Sequence, residues 1–156
     1  KYKNLWHHGD YAEITKNGGF IIYGRSDATL NPGGVRLGTS EIYSVVDKFD
    51  EINESVVIGQ KWDNDIRIVL FVVLKTKNEL TEILKSKLKK KIRQEASPRH
   101  VPAKIISVLD IPRTKNGKIV ELAVKNLIDG NEINNKEALA NPEVLDQFKN
   151  LKELTY

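Results

Sequence analysis

The chain has 156 residues, 40% hydrophobic and 29% charged, with 25 basic against 21 acidic residues and a net charge of +4. That length fits one domain, or one domain plus a piece of another, able to bury about two thirds of its unfolded surface, and the composition excludes a disordered chain. Cysteine is absent, which excludes disulfides, thiolate metal sites and a cysteine nucleophile, and the mild basicity falls far short of a dedicated nucleic-acid binder.

Methionine is absent too, even at position 1, so the sequence reads as a fragment of something longer or as a chain whose start has been removed. The longest apolar run, IVLFVVL at 68–74, is too short to span a bilayer, and no charged-then-apolar leader opens the chain. No membrane partner is expected, and the cytoplasm is the default compartment.

In chain order, residues 10–24 read as a hairpin, because the turn KNGG precedes the short strand GGFIIYG; that hairpin needs a larger sheet to lie against. Next comes GRSDATLNPGGVRLG at 24–38, with four glycines and one proline, more backbone freedom than a single tight turn requires. Ile42, Val45, Val46 and Phe49 then share one helical face, with Thr39 or Ser40 as cap and Glu41 at the positive end of the dipole. NESVVIGQ and IRIVLFVVLK are adjacent strands joined at WDND, the second apolar enough to be central. Leu80, Ile83, Leu84, Leu88 and Ile92 predict a helix over 78–96, ended by Ser97-Pro98. KIISVLDI at 104–111 predicts another strand, PRTKNGK an exposed turn, and Val120, Ala123, Val124, Leu127 and Ile128 a third helix that stops at Asp129-Gly130. A polar tail follows, in which ALANPEVLDQF adds one more short helix. The fold class is therefore α+β: a small sheet of about three strands packed with helices, preceded by a short β-hairpin. Residues 1–26 read as the end of a preceding domain and 27–156 as a second, smaller one.

Each candidate for chemistry has two readings. His7 and His8 of HHGD form an incomplete ligand set, so no metal site is expected. Asp10 makes either an ordinary Asx-turn or a carboxylate that accepts two ribose hydroxyls. The loop at 24–38 is either a surface turn, or a hinge at Ser26 and Asp27 followed by a ligand-facing stretch. In the second reading Gly33 and Gly34 let a narrow ligand approach the main chain while Arg36 supplies charge for a phosphate. Lys118, behind the Asn116-Gly117 turn, is either solvated or a point charge projected at the turn's tip toward an oxyanion in another domain. KSKLKKKIR at 85–93 is either a solvated helix face or the basis of a stand-alone nucleic-acid-binding module, with Arg93 open to a specific anion contact.

The order GD (9–10), GRSD (24–27), LNPGGVRLGTSEIY (30–43) and PRTKNGK (112–118) resembles the carboxy-terminal part of the adenylate-forming acyl-CoA synthetases over most of the chain. GKIVELAVKNLI and ALANPEVLDQFKNLKEL resemble the acetoacetate-activating branch rather than the acetate-activating one, which places an arginine near the position of Glu121. The resemblance implies a ligase in which a large amino-terminal domain, the partner missing here, is joined by a hinge to a small domain that rotates between two half-reactions. A carboxylate first attacks the α-phosphate of ATP and releases pyrophosphate; the CoA thiol then attacks the acyl-adenylate and releases AMP. It implies that Asp10 binds the ribose hydroxyls, that Arg25 contacts the nucleotide near ribose and phosphate, and that Asp27 is the hinge. Lys118 serves adenylation, Gly34 lines the pantetheine tunnel with Arg36 beside it, and Arg93 meets the CoA nucleotide phosphates. Substrates are then ATP, with its Mg2+ held by the missing domain, CoA and a short acid: acetoacetate, or on a closer rival reading acetate or propionate. The excised chain is expected to be folded but inactive, and acetylation of Lys118 to stop adenylation by removing its charge.

Overall fold

The structure, a computed structural model, describes residues 9–25, 29–75, 78–133 and 136–155. Strands β1 (Asp10–Ile14) and β2 (Phe20–Arg25) pair antiparallel around a turn in which Gly18 takes a positive φ of 78°, with a bulge between Tyr11 and Ala12. Ile14, Phe20, Ile21 and Ile22 stay exposed on this ribbon. Two strands bury too little apolar surface to be stable alone.

Helix α1 (Thr39–Val46) buries Ile42, Val45 and Val46, the stripe its spacing predicts. Its start departs from the predicted cap: Gly38 is the cap residue, no side chain caps the helix, and Thr39 lies buried inside the first turn. Strands β3 (Ile52–Trp62) and β4 (Asp65–Leu74) turn through Asp63 and Asn64, both at positive φ (48° and 59°), which suits the right-handed twist of a two-residue hairpin. Helix α2 (Glu82–Glu95) starts later than the apolar spacing suggests, because the Thr81 hydroxyl accepts the Leu84 N–H at 3.2 Å and fixes the first turn there. It crosses over to β5 (Lys104–Ser107), which runs parallel to β4 and completes a sheet of order β3-β4-β5. The strand read at 104–111 is shorter than its apolar run: after Val108 the chain turns, and Asp110 bonds the Ile111 N–H at 2.7 Å. Helix α3 (Glu121–Ile128) closes at Gly130 (φ 74°) with a Schellman pair, Asn131 N–H to Asn126 O at 2.8 Å and Gly130 N–H to Leu127 O at 3.2 Å.

Strand β4 is central, and successive side chains leave it on opposite faces. Ile68, Leu70 and Val72, with Val57 of β3, join α1 and α2 in one core. Val69 and Phe71, with Val56 and Ile58, join Val124 of α3 in a second. That is why the IVLFVVL run has no polar alternation: both faces are covered. The cover on the second face includes the tail, whose polar composition conceals Phe148 and Leu154 in that core and Leu139 and Leu145 in a smaller cluster with Ala123 of α3. The helix predicted in ALANPEVLDQF forms as a 3₁₀ segment, Pro142–Phe148, whose Phe148 ring meets Phe71 edge-on at 5.0 Å. The basic run of α2 presents lysines outward while Leu84, Leu88 and Ile92 face the first core, and Lys85 and Lys91 pair with Glu82 and Glu95 at 2.8 and 2.7 Å. Among the described residues no helix is long and apolar enough to cross a membrane.

Candidate functional site: two loops on opposite faces of one sheet

The glycine-rich loop is closed rather than slack. Leu30 and Leu37 exchange backbone hydrogen bonds at 3.1 and 2.9 Å, and both side chains are buried in the core beneath α1. Between them the exposed tip makes one 3₁₀ turn, Pro32–Gly34, with Gly33 and Gly34 at φ 58° and 76°. Those angles favour glycine. The Gly33 N–H donates to both carboxylate oxygens of Asp65, at 2.9 and 3.0 Å, which ties the tip to the β3–β4 turn. A Cβ on Gly34 would meet nothing within 4 Å, and the groove beside it, about 590 Å³, is lined by Asn31, Lys61, Trp62 and Asp65 among others. Arg67 stacks on the Trp62 ring at 3.6 Å and stiffens that wall. Arg36 is exposed on the return of the loop.

Lys118 belongs to a separate turn. Thr114 organises it: its N–H donates to Lys118 O at 2.8 Å, its carbonyl accepts from Gly117 N–H at 2.8 Å, and its hydroxyl accepts from Lys118 N–H at 3.2 Å. Gly117 takes a positive φ of 76°. Lys118 therefore lies one residue past the tip rather than on it, and is exposed. The turn does not stand alone, because the tail runs alongside it: Lys115 N–H reaches Ala138 O at 3.2 Å and Ala140 N–H reaches Arg113 O at 2.8 Å. Arg113 is held in turn by Glu54 of β3 and by the Asn141 side chain, which accepts its N–H at 2.9 Å. The residues before and after the turn, Ile111 and Val124, sit in the second core, so the two loops are rooted on opposite faces of the sheet.

One partly buried contact joins these roots around the outer strand β3. The Tyr43 hydroxyl, on α1, donates to Glu121 Oε1 on α3 at 2.5 Å and accepts the Val57 N–H of β3 at 3.0 Å. Tyr43 is half-buried as a residue, but its hydroxyl end is enclosed, and burial first, then the Glu121 charge, pushes the phenol well above its usual value. The group stays a neutral donor across physiological pH.

Of the other residues singled out from sequence, Asp10 and Arg25 face each other in the β1–β2 register, so the hairpin brings together two positions fifteen residues apart. Asp27, His7 and His8 lie outside the described residues. Arg93 is exposed on the last turn of α2. Sequence reasoning missed Tyr43, Asp65, Arg99 and His100. Only Tyr43 left a trace, as an aromatic beside rather than on the apolar stripe of α1; the other three act through neighbours far along the chain.

A family model described as AMP-binding enzyme C-terminal domain matches residues 41–118. The chain is 61% identical over 154 residues to acetoacetyl-coenzyme A synthetase of Rhizobium meliloti (strain 1021), covering 99% of itself and 24% of that protein. It is 46% identical over 156 residues to acetoacetyl-CoA synthetase of Xenopus tropicalis, covering 99% of itself and 23% of that protein. Among solved structures, acetoacetyl-CoA synthetase from Streptomyces lividans superimposes with a TM-score of 0.85 at 37% identity, over 97% of this chain and 23% of that one. An ATP-bound RpMatB-BxBclM chimera gives a TM-score of 0.70 at 29% identity over 78% of this chain and 24% of that one. The chain thus spans about a quarter of the length of the curated relatives it matches.

Proposed function

We propose, from the premise that this chain belongs to the AMP-binding enzyme C-terminal domain family, that it is the carboxy-terminal part of an acid–thiol ligase that converts acetoacetate, ATP and CoA to acetoacetyl-CoA. The observation that carries the reading is the placement of the glycine loop and the lysine turn on opposite faces of one sheet, each exposed at its tip. A rigid unit built this way offers one loop or the other to a neighbouring domain according to its orientation.

In the first orientation Lys118 approaches the acid and the α-phosphate. A carboxylate oxygen attacks phosphorus, the bond to the β-phosphate oxygen breaks, and pyrophosphate leaves. The lysine ammonium offsets the negative charge that the reacting oxygens share in the transition state. In the second, the glycine loop lines the path of the pantetheine arm. The thiol sulfur attacks the acyl carbon as its proton is lost to solvent, the carbon–oxygen bond to AMP breaks, and the thioester forms. Gly33 and Gly34 suit that passage because bare main chain leaves room for a thin ligand. Asp10 and Arg25, opposite each other on the hairpin, hold the ribose and the nucleotide, and Asp27 is the pivot between residues 1–26, the end of the large domain, and 27–156. Arg36 and Arg93 supply positive charge to the CoA phosphates. Mg2+ accompanies ATP in the large domain, and the enzyme works in the cytoplasm.

The test uses the full-length protein with Lys118→Ala. Pyrophosphate release should fall by orders of magnitude while thioester formation from supplied acetoacetyl-adenylate stays near wild type; equal loss of both steps would overturn the division of labour. Offering acetate, propionate and acetoacetate to the wild-type enzyme checks the substrate, and a higher kcat/KM for acetate or propionate would replace acetoacetate.

A further inference from the structure

The Pro98–His100 turn, between α2 and β5, carries an arginine to the edge of the glycine loop. Nη1 of Arg99 lies 3.9 Å from where a Cβ would stand on Gly33. The side chain is exposed, and among the described residues its guanidinium makes no hydrogen bond or ion pair. A cation with no anionic partner among the described residues, laid against the bare main chain of Gly33 and Gly34, is placed to meet a charge that arrives from outside.

Its position is not accidental. His100, 5% exposed, is locked on both ring nitrogens: Nε2 meets Glu41 Oε2 at 2.5 Å and Nδ1 meets Ser97 Oγ at 2.8 Å. Facing a carboxylate fixes a proton on Nε2. Ser97 Oγ also accepts the Arg99 N–H at 3.2 Å, so the same chain of contacts sets the backbone of Arg99 itself. Glu41 stands in the first turn of α1, directly after the loop that holds Gly34 and Arg36. The buried histidine therefore clamps the turn bearing Arg99 to the helix that follows the glycine loop.

We propose that Arg99 is a further anion contact on the route of CoA, binding a phosphate of its nucleotide end, and that His100 and Glu41 are positioning residues that hold it beside Gly33. The assignment rests on the glycine loop serving the thioester step. A guanidinium suits this work because its planar fork matches phosphate oxygens and its charge is permanent.

The experiment uses the full-length enzyme and three thiol acceptors: CoA, 4′-phosphopantetheine and pantetheine. Arg99→Ala should raise KM for CoA roughly tenfold, the loss of one charge-assisted contact, with kcat and pyrophosphate release unchanged. Pantetheine, which lacks phosphate, should react as with wild type, and 4′-phosphopantetheine tells whether the phosphate nearest the arm is the one held. Arg99→Lys should recover part of the affinity. His100→Asn should raise KM for CoA in the same direction without further effect when combined with Arg99→Ala, an outcome that a purely structural histidine would not give. A KM for CoA within twofold of wild type in Arg99→Ala, or an equal rise for CoA and pantetheine, overturns the proposal. Gly34→Val keeps the two readings apart. It puts a side chain on bare main chain, at a φ of 76° that a β-branched residue resists, so an undiminished thioester step in that variant would remove the loop assignment, whereas a blocked one with pyrophosphate release intact, beside a silent Arg99→Ala, removes only Arg99.

Discussion

At the scale of single residues, Tyr43 shows how a buried hydroxyl can hold distant parts of a sheet together. Its hydroxyl donates to Glu121 and accepts the Val57 N–H, so removing the oxygen deprives a main-chain donor of its acceptor and the carboxylate of one donor. Tyr43→Phe should cost ~1–3 kcal/mol of stability at neutral pH, read from denaturant melts. The pH dependence follows from the raised phenol. A group that holds its proton more tightly when folded contributes stability below its unfolded value, for tyrosine 10.0, and loses it as pH climbs toward the folded value. The gap between wild type and Tyr43→Phe should therefore narrow above pH 10, and a gap that widens there would refute the assigned cause. Neither Tyr43 nor His100 was legible as a partner in the sequence, because hydrogen bonds between residues 78 and 59 positions apart leave no local pattern.

At the scale of elements, the two loops differ in how they are secured. At the tip of the glycine loop the Gly33 N–H is held by the Asp65 side chain, whereas the lysine turn is flanked by a stretch of tail along its backbone. Asp65→Ala should speed amide exchange at Gly33 by roughly fivefold or more, since loops held by few contacts open locally without global unfolding, and should slow the thioester step while leaving pyrophosphate release near wild type. Unchanged exchange at Gly33 would mean that Leu30 and Leu37 suffice to order the loop. The elements themselves were largely readable: the two hairpins, the three α-helices and the turn before Lys118 stand where apolar spacing and turn residues put them. The misplaced boundaries have local physical causes, namely Thr81 capping α2 after the first apolar positions and Thr39 buried inside α1 instead of capping it.

At the scale of the whole molecule, the sheet is covered twice, and the second cover includes the tail. Phe148 packs edge-on to Phe71 in the second core, and the Leu154 carbonyl accepts from Arg67 at 2.5 Å. Phe148→Ala should destabilise the protein by ~3–5 kcal/mol, the usual consequence of emptying a buried aromatic site. Because the tail also flanks the lysine turn, that variant should lower pyrophosphate release more than thioester formation when both are assayed below its melting temperature. Equal effects on both would confine the tail to stability.

The sequence by itself determined the α+β class, the order of elements, the central strand and the identity of the two loops, because each rests on spacing and turn chemistry within a few residues. Glycines at positive φ and an unbroken β-branched run announce themselves locally. Tertiary structure alone decided that the loops root on opposite faces, that a polar-looking tail closes the second core, and that Arg99 reaches Gly33. Those are consequences of which faces a sheet buries and which segments cross it, and no short window of residues encodes them.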